Sequence, residues 1–77
     1  MTRGPSAAEL DALTAWWLAK RHIGRAAGLL GKKRQTVANQ LQQLKRAEGA
    51  TDCVDLALKY MDEIQARRSD VLDGAAS

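Results

Sequence analysis

Eight basic side chains, Lys20, Arg21, Arg25, Lys32, Lys33, Arg34, Lys45 and Arg46, fall in one stretch that holds no Asp or Glu, and all nine carboxylates lie outside it. The net charge of +3 averages this asymmetry away. Such a block supplies a local positive field whose natural counterpart is a polyanion. Within the stretch, Gln35, Asn39, Gln40, Gln42 and Gln43 crowd a segment free of carboxylate. A merely solvated helix face normally mixes Glu with Lys. Side-chain amides add little to solubility but both donate and accept hydrogen bonds, which suits them to the edges of bases.

The other reactive residue types point to no reaction. His22 is the single histidine and stands among Lys20, Arg21 and Arg25 with no carboxylate nearby in sequence, so it reads as a helix-start or phosphate-contacting residue. Cys53 is the single cysteine, which excludes an internal disulfide, and its neighbour Asp52 disfavours a thiolate. Paired carboxylates, a phosphate-cradling glycine loop and metal-ligand spacings are all missing from the sequence, so neither catalysis nor a cofactor nor a metal is expected. Nothing resembles a signal peptide and no apolar run approaches the ~20 residues that span a bilayer, so the expectation is a cytoplasmic chain with no membrane partner.

Four helices must position the basic and amide residues. Seventy-seven residues make one small domain. Residues 1–5 have no periodicity and are expected to form a flexible arm. Ser6 stands three residues before Glu9, the spacing of a capping box at a helix start. Leu10, Leu13 and Trp17 then share a face up to about Lys20, which assigns Trp17 to the core and leaves Trp16, about 100° away, for the rim or a contact between copies. Ile23, Ala26, Ala27 and Leu30 define a second helix over residues 23–30. Gly24 and Gly28 weaken it by about 1 kcal/mol each relative to Ala, so packing must hold it. Gly31 supplies the positive φ that ends it.

A third helix is expected over about 34–47, with Val37, Leu41 and Leu44 turned inward and the amides outward. Asp52 opens a fourth, over about 52–68, with Asp55 in its first turn where carboxylates are favoured. Val54, Leu58, Met61 and Ile64 or Gln65 form a stripe that docks on the domain. Leu56 and Tyr60 form a second stripe left for a partner, and residues 69–77 are expected to be a disordered tail.

A helix-turn-helix requires a small residue where its two helices touch, a glycine in the turn and a β-branched residue on the second helix at fixed offsets. Ala27, Gly31 and Val37 meet that requirement, and Ile23 completes the apolar lock. Further along, Leu30-Gly31, Thr36-Val37-Ala38-Asn39-Gln40-Leu41, Leu44, Gly49-Ala50-Thr51-Asp52 and Leu56-Ala57 resemble the DNA-binding domain of LuxR/FixJ (GerE-type) regulators, without a gap from about Ala26 to Tyr60. The resemblance implies an all-α, four-helix helix-turn-helix domain spanning residues 6–68. Its recognition helix would cover about residues 33–47, and two domains would pair through the fourth helix.

By the same resemblance, Ala38, Asn39 and Gln42 face the major groove and Thr36 meets phosphate at the helix start. Gln35 joins the base-reading face. Lys20, Arg21, Arg25, Lys32, Lys33, Arg34, Lys45 and Arg46 are suited to phosphate, which fixes register without reading sequence. Leu56, Tyr60 and Trp16 are the expected dimer contacts. The expected function is that of a stand-alone transcription regulator, a compact repressor that binds double-stranded DNA as a homodimer, with RNA polymerase or another transcription factor as further partner. An interaction protein that docks on a host transcription factor through its tryptophans and last helix is the alternative.

Overall fold

The computed structural model describes residues 5–76, with side chains for 5–74, and among these residues the protein is entirely helical. The expected flexible arm therefore lies, apart from Pro5, outside the described residues. Five helices follow in order: α1 (Ala7–Leu18), α2 (Ile23–Leu30), α3 (Arg34–Glu48), α4 (Cys53–Lys59) and α5 (Met61–Ala76).

Helix α1 starts where the sequence places it. Ser6 Oγ accepts from the Glu9 backbone N–H at 3.2 Å while Glu9 Oε1 accepts from the Ser6 backbone N–H at 3.0 Å, so both free donors are satisfied reciprocally. This helix alone packs against all four others, most extensively α5 and α2. Leu10, Ala12, Leu13, Thr14, Ala15, Trp16 and Ala19 are consequently all buried, and the Thr14 hydroxyl is satisfied by donating to the Leu10 carbonyl at 2.7 Å. That central position corrects the assignment of the tryptophans. Trp16 is 8% exposed and in the core, while Trp17 lies half-buried at its edge. A helix covered on most of its circumference has no single inward face, so the periodicity that separated the two residues carried no information about them.

Three corners of the fold are built alike. After α1, α2 and α3, the second residue beyond the turn of direction sends its N–H back five positions: Arg21 to the Trp16 carbonyl, Lys32 to Ala27 and Ala50 to Lys45, at 2.8, 3.0 and 3.0 Å. This closure needs a left-handed residue at its apex. Gly31 and Gly49 supply it with φ of 64° and 66°. At the first corner Lys20 takes the position with φ 56°, and Arg21 follows it at 66°.

The C-terminal part departs from expectation. The sequence pattern predicts one helix over about 52–68, but Tyr60, at φ −106° and ψ 27°, ends α4, and α5 begins at Met61. The joint is tied to the end of α3, because the Tyr60 hydroxyl donates to Glu48 Oε1 at 2.6 Å and Lys59 Nζ donates to Glu48 Oε2. The two stripes are also exchanged. Leu56 and Ala57 enter the core while Leu58, expected to dock, stands 62% exposed. Beyond Arg68 the helix continues to Ala76, and residues 69–76 are not the expected tail. Val71, seven residues after Ile64 on the same stripe, is 5% exposed against the core. Arg67 Nη1 donates to Asp11 Oδ1 at 3.0 Å and so fastens α5 to α1.

Candidate nucleic-acid interface

The amide helix is positioned by its apolar stripe. Val37, Leu41 and Leu44 are buried, which leaves Gln35, Thr36, Asn39, Gln42, Gln43 and Arg46 exposed on the opposite side. A three-residue turn, Gly31-Lys32-Lys33, joins α2 to this helix, and the small buried pair Ala26 and Ala27 lets the helices approach closely.

The four side chains expected to read bases come together. Gln35, Ala38, Asn39 and Gln42 line one open hollow of about 530 Å³, closed behind by Trp16, Ile23 and Leu41 and bordered by Lys45. Gln35 Nε2 donates to Asn39 Oδ1 at 3.0 Å, one helical turn apart, so the two amides are coupled. The Asn39 amide then offers its NH₂ outward, and Gln35 keeps its carbonyl as an acceptor.

Asp52 and Cys53 form the far wall of the hollow, a role the sequence did not disclose. They reach it from another element, and spacing along one helix carries no signal of that. The Asp52 carboxylate is already committed to the start of α4, where Oδ1 accepts from the Val54 N–H at 3.1 Å. Burial pushes the Cys53 thiol above its ordinary range, and nearby Lys45 only partly opposes this.

The basic residues lie where two helix starts are uncapped. His22 precedes α2 and Lys33 precedes α3, and neither side chain accepts a hydrogen bond from the helix it begins. Free backbone N–H groups at such a start carry a partial positive charge and favour an anion. Lys20, Arg21 and Arg25 surround the first start, and Lys32, Lys33 and Arg34 the second, all exposed. Thr36 is exposed in the first turn of α3. Lys45 is half-buried and Arg46 exposed at its other end. Among the described residues the salt bridges use Lys59 and Arg67, and none uses these eight cations. The field of the block is therefore not neutralised from within.

The expected contacts between copies do not assemble. Trp16 and Leu56 are 8% and 1% exposed inside the single chain, and the Tyr60 hydroxyl is engaged by Glu48, so these three residues form no common outer surface. Within α4 itself Leu56 faces the core and Leu58, two residues on, faces outward.

Among the described residues no group of three His, Cys, Asp or Glu side chains is placed to hold a metal ion, and no helix is long and apolar enough to cross a membrane. Compared with protein families, curated proteins and solved structures, the chain matches none.

Proposed function

We propose that this protein is a sequence-specific, double-stranded DNA-binding transcription regulator of the helix-turn-helix kind, similar to the LuxR/FixJ DNA-binding domain, with α3 in the major groove. The observation that carries the reading is the coincidence of two uncapped helix starts with six of the block's eight cations, next to an amide hollow whose one lining carboxylate, Asp52, is committed to the start of α4. Gln35, Ala38, Asn39 and Gln42 contact bases. An Asn or Gln amide that pairs with adenine N6 and N7 contributes about 1–3 kcal/mol of discrimination. Lys20, Arg21, Arg25, Lys32, Lys33, Arg34, Thr36, Lys45 and Arg46 contact phosphate and hold the register. The protein acts in the cytoplasm as an assembly of copies and works as a compact repressor, its action on RNA polymerase being exclusion from the occupied site. Catalysis forms no part of the proposal. A purely protein-binding role through Trp16, Trp17, Leu56 and Tyr60 is disfavoured by the burial of Trp16 and Leu56.

Selection of sites from a random duplex library at two salt concentrations tests this reading. The expected result is an enriched motif, with affinity falling by about 0.9 log units per log unit of salt for each phosphate contacted. Asn39→Ala and Gln42→Ala should relax the motif, while Lys33→Ala weakens all sequences alike. A flat salt response without enrichment overturns it.

A further inference from the structure

Two large apolar side chains are exposed among the described residues, Leu58 at 62% and Leu72 at 40%. They sit in different surroundings. Leu58 protrudes from α4 with the exposed carboxylate Asp55 one turn before it, and the exposed Asp62 follows beyond the break, in the first turn of α5. Leu72 lies eleven residues along α5 from Met61, about 16 Å at helical rise. There it forms one wall of an open apolar groove of about 430 Å³, with Leu18, Leu29 and Gly28. Lys20 and Arg25, both exposed and outside any salt bridge, border that groove.

The molecule thus carries an apolar knob with two carboxylates near it in sequence and, at a separate place, an apolar groove bordered by two cations. We infer that the occupant of the groove is Leu58 of a second copy, with its Asp55 and Asp62 set against Lys20 and Arg25. A single contact of this kind covers both exposed leucines and pairs four charges that have no ion-pair partner within the chain, so Lys20 and Arg25 meet phosphate only in a copy whose groove is unoccupied. Knob and hole are different surfaces, so the contact is head-to-tail and each copy keeps one free end of each kind. This deepens the reading above, resting on its assembly of copies, and names the surface that joins them. A head-to-tail pair has no two-fold axis, so it does not demand a palindromic site.

Sedimentation velocity on the intact chain, from micromolar to millimolar concentration and without nucleic acid, tests the contact. Association beyond the dimer is expected, weakening as salt is raised. Leu58→Glu removes the knob. Gly28→Glu blocks the hole, at an exposed position where an added Cβ meets no atom within 4 Å. Each variant alone should be monomeric with unchanged helicity by circular dichroism, and an equal mixture should form a heterodimer that grows no further. Leu72→Glu provides a second, independent block of the hole. A wild-type chain that stays monomeric, variants that associate like the wild type, or a closed wild-type dimer whose variants fail to complement each other would each overturn the inference. Leu58 lies outside the proposed DNA-contacting set, so its variant should still bind duplex as single copies. DNA binding is read on Leu58→Glu alone, because Gly28→Glu sets a carboxylate beside the phosphate-contacting Lys20 and Arg25, and failure of the contact is thus distinguished from failure of DNA binding.

Discussion

Helices α1 and α4 begin differently from α2 and α3. The first two have a side-chain cap, Ser6 or Asp52, and a carboxylate in the first turn, Glu9 or Asp55. The other two have neither cap nor carboxylate, and cations crowd their starts. A cap contributes about 1 kcal/mol, and a cation near a helix N-terminus opposes the helix dipole by about 0.3–1 kcal/mol. The chain therefore spends stability at two of its helix starts and secures it at two others. The two sacrificed starts are the ones that flank the amide face, which separates the surface proposed to meet an anion from the scaffold that holds it.

Substitutions that trade one kind of start for the other test that division. The largest effect is expected from Lys33→Glu combined with Arg34→Glu, which should abolish most duplex binding and reduce the salt slope by about 2, with the fold intact. Unchanged anisotropy titrations would remove the anion-binding role of α3. Lys33→Asp is more discriminating, because it introduces a cap. Thermal unfolding should report a gain of about 1 kcal/mol while duplex affinity falls, so stability and binding move in opposite directions. At a start that already has its cap, Ser6→Ala should cost about 1 kcal/mol and leave duplex affinity alone. A matching loss of binding would mean that α1 and the interface are not separate.

Lys20→Gly has a smaller expected effect. It relieves a lysine held at φ 56°, where L-residues are disfavoured by roughly 1 kcal/mol, so the variant should melt higher yet bind duplex less well.

The joint between α3, α4 and α5 provides the last and smallest test, since it lies on the scaffold side. Hydrogen bonds from Lys59 and then Tyr60 hold the Glu48 carboxyl below its ordinary range, while burial, and then the bond to Glu48, push Tyr60 up to about 12. A lowered acid stabilises the fold above the ordinary carboxylate range and ceases to do so as pH falls through its folded value. A raised phenol stabilises it fully below about 10, the ordinary tyrosine value, and loses that contribution as pH climbs toward 12. Melting temperature against pH should show both limbs, and Tyr60→Phe should flatten the alkaline one.

The parts of this fold that were legible in sequence are those decided by a few neighbouring residues. Ser6 with Glu9, Gly31 and Asp52 each act locally, and the bounds of α2 follow from the spacing of Ile23, Ala26, Ala27 and Leu30. The amide face was legible for the same reason, since Gln35, Ala38, Asn39 and Gln42 share one helix. What remained hidden depended on contacts between distant segments. Which tryptophan is buried follows from α1 touching every other helix. The end of α4 at Tyr60 coincides with a hydrogen bond to a carboxylate twelve residues earlier. The docking of α5 relies on Asp11, 56 residues away from Arg67. The Asp52–Cys53 wall of the hollow and the outward turn of Leu58 follow from the same long-range packing.

The adjacent tryptophans have a spectroscopic consequence. Trp16 lies behind the hollow lined by Asn39 and Gln42, while Trp17 borders a separate surface depression with Lys20 and Arg21. Two neighbouring indoles thus look onto two different depressions of the surface. With Trp17→Phe the remaining emission comes from beneath the amide face, and with Trp16→Phe it comes from the basic corner. The protein carries its own pair of optical probes, one for each surface, with no label attached to either.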